Sequence, residues 1–212
     1  MQVAFPKLGY LNLSLKLKEI QDLQPLFGAF SNLRILIIEN CPFLSNVLSS
    51  NFVQSLSNLK KLTVKKCDLL EEVFDLNGLD DADNEHVEML SKLEELSLID
   101  LPMLRYICNS SPRQVACFKN LELVRVKQCD SLMYLFSASM ALGVVKLKHL
   151  RIENCPMIEE IVIAENGATD KITFPQITQL SLLSLPNLTS FYLRTQNLGV
   201  LFNEEVSMSL SY

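Results

Sequence analysis

A solenoid of the α/β class, with parallel strands stacked along one side, is what this sequence predicts. Three observations carry that expectation. First, an apolar pattern L-x-x-L-x-L returns seven times: Leu8-Leu11-Leu13, Leu33-Leu36-Ile38, Leu59-Leu62-Val64, Leu93-Leu96-Leu98, Leu121-Val124-Val126, Leu147-Leu150-Ile152 and Ile177-Leu180-Leu182. Second, the first apolar positions recur at near-regular steps, 8→33→59→93→121→147→177. Third, Cys41, Cys67, Cys129 and Cys155 all fall three residues after the last apolar position of their copy. Such a pattern and period mark leucine-rich repeats, in which each unit buries its apolar side against its neighbours.

In each copy, x-x-L-x-L-x-x reads as a short strand. Its two central apolar residues point inward and the residues between them point outward, because strand side chains alternate faces. The predicted solenoid is therefore curved, with the parallel strands on its concave face. A return segment follows, as in Cys41-Pro42-Phe43-Leu44 then Val47, or Cys155-Pro156-Met157-Ile158 then Ile161. Copies four and seven replace the cysteine by Leu101 and Leu185. Three-residue steps predict short turns or 3₁₀ pieces on the convex face rather than long helices, and proline after the strand suits an abrupt change of direction. Longer insertions are expected at residues 75–92, 108–117 and 163–173, the last with the turn pair Asn166-Gly167. Residues 1–197 read as one domain of about seven repeats, and 198–212 as an incomplete terminal repeat or tail. Both ends read as cut through the array, since neither shows a polar cap.

Composition narrows the functions. Apolar residues make up 49% of the 212-residue chain and charged residues 20%, which excludes general disorder. A net charge of −5 opposes a nucleic-acid role, which wants a basic face. The sequence contains no apolar run long enough for a membrane span. Met1 to Lys18 alternates polar and apolar residues, so no secretory signal is read and a cytoplasmic location is expected. Three N-glycosylation sequons, at Asn12, Asn109 and Asn187, are then chance matches.

Candidate chemistry is sparse. The four aligned cysteines read as buried thiols at the inward turn position, behaving as small hydrophobes. A zinc site would need sulfurs about 2.3 Å from one ion, whereas these are spread over five copies. Neighbours such as Cys41 and Cys67 approach disulfide range but stay reduced in a reducing compartment. Cys108 and Cys117 read as free loop thiols. His86 and His149 have no partnered nucleophile in a known motif, so no enzyme is expected. Asp81-Ala82-Asp83-Asn84-Glu85 alternates oxygens but lacks the glycine and distant glutamate of a calcium loop. No glycine is followed by lysine, which excludes a P-loop. No metal and no cofactor are expected in this chain.

The informative chemistry is the predicted concave face. Its central outward positions are Asn12, Ile37, Thr63, Ser97, Arg125, Arg151 and Ser181, with flanking columns beside them. Copy three presents Lys60, Lys61, Lys65 and Lys66; copy four Glu94, Glu95 and Asp100; copies five and six Arg125, Lys127, Lys148, His149 and Arg151. The candidate partner-binding residues are Lys61, Thr63, Lys65, Glu95, Ser97, Arg125, Lys127, His149 and Arg151. A face banded basic, acidic, basic selects a partner of complementary charge. The alternative is that adjacent Lys and Glu pair with each other and serve solubility alone.

The segments Cys67-Asp-Leu-Leu-Glu-Glu-Val-Phe, Cys155-Pro-Met-Ile-Glu-Glu-Ile-Val and Phe174-Pro-Gln-Ile-Thr-Gln-Leu-Ser-Leu-Leu-Ser-Leu-Pro-Asn-Leu carry a family resemblance. They resemble the C-terminal leucine-rich repeats of plant coiled-coil nucleotide-binding immune receptors, the NLR disease-resistance proteins. The resemblance covers nearly the whole chain. It implies a recognition module whose partner is a protein: a pathogen effector, a guarded host protein, or the adjoining nucleotide-binding switch domain of a parent receptor. The switch and coiled-coil domains have no counterpart here, so the resemblance implies a repeat fragment or truncated product. A leucine-rich-repeat substrate arm of a ubiquitin ligase is the alternative, and it lacks the expected F-box.

Overall fold

The computed structural model describes residues 5, 7–16, 18, 30–75, 90–108, 118–164, 172–192 and 207–211. In chain order the first elements are β1 (Tyr10–Leu13), β2 (Ile35–Glu39), β3 (Asn46–Ser49), α1 (Ser50–Ser55), β4 (Lys61–Lys65), β5 (Glu72–Asp75) and β6 (Glu95–Ile99). Then come β7 (Leu123–Lys127), β8 (Tyr134–Ser137), α2 (Ala138–Gly143), β9 (His149–Glu153), β10 (Glu160–Ile163), β11 (Gln179–Leu183), β12 (Ser190–Tyr192) and β13 (Ser207–Ser211). One strand from each coil joins an eight-stranded parallel sheet ordered β1-β2-β4-β6-β7-β9-β11-β13.

The register of that sheet is the repeat of the sequence made physical. Leu36 pairs with Leu62, Leu62 with Leu96, Leu96 with Val124, Val124 with Leu150, and Leu150 with Leu180. Within each of β2, β4 and β6, buried residues alternate with half-buried ones. From the second coil to the sixth, the apolar trios are essentially solvent-free, with Leu33, Ile38, Leu59, Leu93 and Leu121 at 0% exposure. Leu8 and Leu11 of the first coil are only half-buried, because among the described residues that coil has a neighbour on one side alone. Strand β13 lies inside the segment expected to hold a tail or incomplete repeat, and it pairs in register with β11.

A fixed device ends six of the eight main-sheet strands. Asn40, Lys66, Asp100, Gln128, Asn154 and Ser184 all adopt left-handed backbone, with φ between 53° and 57°. Asparagine and aspartate tolerate that region, whereas lysine and glutamine occupy it at a cost. The bond that holds the first five of them there is the residue's own N–H, which donates to the next coil's strand: Asn40 to the Lys65 carbonyl (3.1 Å), Asp100 to Lys127 (2.8 Å) and Asn154 to Leu183 (3.0 Å). The following residue then turns inward. Cys41, Cys67, Leu101, Cys129 and Cys155 are all buried. Each opens a tight turn closed by an N–H to carbonyl bond three residues on, such as Leu70 to Cys67 and Ile158 to Cys155 (both 3.3 Å).

Beyond these turns the convex face departs from expectation. In place of further turns or 3₁₀ pieces the chain runs extended and forms short parallel strands, β3 with β5 and β8 with β10 and β12. The reason is visible in Val73-Phe74, Leu135-Phe136 and Ile161-Val162, adjacent buried pairs in which all but Leu135 are β-branched or aromatic. Such residues favour extended backbone, and neighbouring coils supply the hydrogen bonds. Two helices of six residues follow β3 and β8. The second is capped by the Ser137 hydroxyl, which accepts from Met140 N–H at 3.3 Å. Behind the strands, phenylalanines stack edge-on or tilted from coil to coil: Phe30 on Phe52, Phe74 on Phe118, and Phe174 on Phe191, with centroids 5.4–5.7 Å apart.

The five described cysteines are free thiols packed in this core. Each aligned sulfhydryl donates to the carbonyl two residues earlier, Cys67 to Lys65 at 3.5 Å and Cys155 to Glu153 at 3.3 Å. Burial pushes the Cys67 thiol up to about 12, and Cys129 is raised by its hydrogen bond with Cys155 and by burial. Cys108, expected as a loop thiol, is also buried at 4%. His86, Cys117, the acidic run and the Asn166-Gly167 turn lie outside the described residues.

Leu69 and Leu70 are neighbours in sequence yet 50% and 0% exposed. Leu70→Ala should therefore cost about 2–5 kcal/mol and Leu69→Ala no more than about 0.5; urea denaturation midpoints measure both. Alkylation by iodoacetamide at pH 8 should leave Cys67 unmodified in the folded chain and modify it in urea, because the thiolate is the reactive form. Labelling of Cys67 in the folded state, read by mass spectrometry, would contradict its placement.

Candidate functional site

The outward face of the main sheet is built from three columns, set by the strand register. One runs Ile35, Lys61, Glu95, Leu123, His149, Gln179. The central one runs Asn12, Ile37, Thr63, Ser97, Arg125, Arg151, Ser181. The third runs Glu39, Lys65, Ile99, Lys127, Glu153, Leu183. All nine candidate residues lie on these columns: Lys61, Glu95 and His149 on the first, Thr63, Ser97, Arg125 and Arg151 on the second, Lys65 and Lys127 on the third. The alternation of side chains along each strand is what places them together on one surface.

The bands of charge, however, are largely zipped together. Lys60 Nζ meets Glu94 at 2.6 Å and Lys61 meets Glu95 at 2.7 Å, joining the third coil to the fourth. Lys65 meets Glu39 at 2.5 Å, and Lys148 meets Glu122 at 2.9 Å. Asn12 adds a hydrogen bond to Glu39 at 3.1 Å. The Lys65 and Asn12 hydrogen bonds hold the Glu39 carboxyl below its ordinary range. The Lys60, Lys61 and Lys148 pairs are substantially exposed, so they add little to the fold. Their consequence is electrostatic: coils two to four present little net charge.

Coils five and six differ. Lys127 and Arg151 share one carboxylate, Glu153, which lies 3.6 Å from Lys127 and is hydrogen-bonded by Arg151 from two positions down the same strand. Arg125 has no carboxylate partner among the described residues. A shallow hollow of about 140 Å³ opens here over β7, β9 and β11, bordered by Arg125, His149, Arg151, Gln179 and Ser181. Sequence reasoning found the two arginines and the histidine. It missed Glu153, which fixes Arg151, and Gln179, which closes the hollow. Both sit at outward positions of the repeat, and that is the only signal the sequence carried for them.

A second, more open hollow of about 510 Å³ adjoins Lys7, Gly9, Asn32, Arg34 and Asn58, beside the turns that precede the first strands. Its side chains are neutral amides and cations with no nucleophile–base pair. Asn58 is engaged there: its amide donates to the Ser31 carbonyl at 2.7 Å and accepts from Lys92 at 2.6 Å. Asn120 repeats this pattern with Ser91 and Lys146, so these asparagines tie coil to coil. Among the described residues no group of three His, Cys, Asp or Glu side chains could hold a metal ion. No described helix is long and apolar enough to cross a membrane.

Among solved structures, the chain is similar to the leucine-rich repeat domain of the type III effector XCV3220 (XopL), at 15% identity and a TM-score of 0.45, over 94% of this chain and 75% of that one. No curated protein sequence matches it. A family model described as plant disease resistance protein RPS2-like, leucine-rich repeats, matches residues 7–156. That stretch runs from coil one into the turn of coil six and includes the four aligned thiols and the two arginines of the hollow. The chain thus belongs to the RPS2-like leucine-rich repeat family of plant disease resistance proteins.

Proposed function

We propose that the outward columns of the main sheet are the protein-recognition surface of a plant immune receptor. In this reading the chain engages a pathogen effector or a guarded host protein. Within a parent receptor it would also restrain the adjoining nucleotide-binding switch domain. The role is non-catalytic, needs no cofactor, and belongs in the cytoplasm. The observation that carries it is the register. It brings nine polar and charged side chains from four coils onto one continuous face, while everything apolar that the repeat conserves between coils is turned inward. Family membership supplies the context of plant disease resistance, and solenoids bind through such extended surfaces. Nothing described here favours the ubiquitin-ligase alternative over this reading.

The test uses partners recovered from infected plant tissue by cross-linking to the tagged chain, with cross-links mapped by mass spectrometry. They should fall on Lys61, Lys65 and Lys127. Charge reversal at Lys65, Arg125 and Arg151 together should weaken the recovered complex at least tenfold, about 1.4 kcal/mol, and the wild-type affinity should fall as salt screens the face. Cross-links confined to the convex strands, with reversal lacking effect, would overturn the assignment.

A further inference from the structure

We infer that the hollow over β7, β9 and β11 is a carboxylate-binding subsite. It seats an acidic side chain of an extended protein segment laid along the sheet, and Arg125 is its principal contact. The inference rests on the outward columns being a recognition surface and names the chemistry of one place on it.

The register exposes an anomaly. Four pairs of charged residues stand directly opposite one another on neighbouring strands of the outward face. Three are of opposite sign: Glu39 with Lys65, Lys61 with Glu95, and Lys127 with Glu153. The fourth is Arg125 with Arg151. Like charges directly opposite across a strand pair destabilise it, so this pair works against the fold at a place where the face is also hollowed. An anion between the two guanidiniums would reverse the sign of the interaction.

The surroundings fit such a role. Glu153 holds Arg151 from the same strand, which orients its guanidinium without reaching Arg125. Arg125 is exposed and has its full fork of donors to offer, a geometry that matches a carboxylate with two parallel hydrogen bonds. Gln179 and Ser181 at the border are neutral donors that add no repelling charge. The volume, about 140 Å³, is well below the roughly 300–1,000 Å³ of small-molecule sites, and suits a single side chain.

Two observations favour a protein carboxylate over the phosphates of a nucleic acid. The whole chain carries a net charge of −5, which opposes a polyphosphate at long range. The arginines are also flanked on the outward face by half-buried Leu123, Ile99 and Leu183. Apolar flanks complement the alternating side chains of an extended peptide rather than a charged sugar-phosphate chain.

The experiment follows the ¹H–¹⁵N resonances of the full chain, including arginine Nε–H, during titration with capped tetraglutamate, capped tetraglutamine or octathymidylate. Tetraglutamate should shift Arg125 and Arg151 saturably, and tetraglutamine should bind at least tenfold more weakly. Arg125→Gln should weaken tetraglutamate at least tenfold while raising the thermal midpoint of the free chain, since it relieves the repulsion; Lys92→Gln, at an exposed cation off the outward columns, should change affinity less than twofold. Equal binding of tetraglutamine, an inert Arg125→Gln, or tighter binding of octathymidylate at the same arginines would overturn the subsite. The two readings fail separately. Partners cross-linked to the outward columns with Arg125 unmoved by tetraglutamate sink the subsite alone. Partners cross-linked to the convex side sink the recognition surface and leave the anion titration to stand on its own.

Discussion

No coil of this protein can bury its own apolar residues, and everything else in the structure answers to that constraint. A coil is one strand, one tight turn and one return, too thin to enclose a core. Its leucines become solvent-free only when the same residues of the next coil lie directly against them, as Leu96 lies between Leu62 and Val124. Each such burial contributes about 1.5–3 kcal/mol, against a backbone ordering cost of about 1–2 kcal/mol per residue. The balance closes only for a stack. Constant register follows, because a slip of one residue would turn every leucine of a strand outward.

Constant register also fixes what happens at the strand ends. The chain must leave the sheet at the same point in every coil, and the left-handed residue does this with its N–H tied to the next strand. Asn40, Asp100 and Asn154 suit that backbone; Lys66 and Gln128 adopt it because the bond to the neighbouring coil holds them there. The residue that follows has room for a small buried side chain. Cysteine fills it in four coils and leucine in one fully buried case, Leu101. The aligned thiols are thus a product of stacking.

The outward face is where the stack leaves freedom, since its residues do not decide whether the coils close. Most of its charges are paired with one another across adjacent strands. The exception in coils five and six gains its meaning from that background. A lone arginine on a charged surface would be unremarked. Two facing arginines, on a sheet whose other facing charges are all opposite, mark a place left uncompensated.

The repeat length, the inward leucines, the thiol position and the nine outward candidates were all legible in the sequence, because each depends on local alternation and on a period that stacking enforces. Three things were decided by the tertiary structure. The convex strands exist because adjacent coils offer hydrogen bonds to Val73-Phe74 and Ile161-Val162, partners that no single repeat contains. Charge pairing across coils depends on which residues the register sets side by side, so Lys61 and Glu95, 34 positions apart by number, neutralise each other. The hollow at Arg125 depends on the relative bulk of side chains from three strands and on Glu153 drawing Arg151 aside. Sequence fixes side-chain direction through local backbone geometry, whereas pairing and cavities arise only between coils.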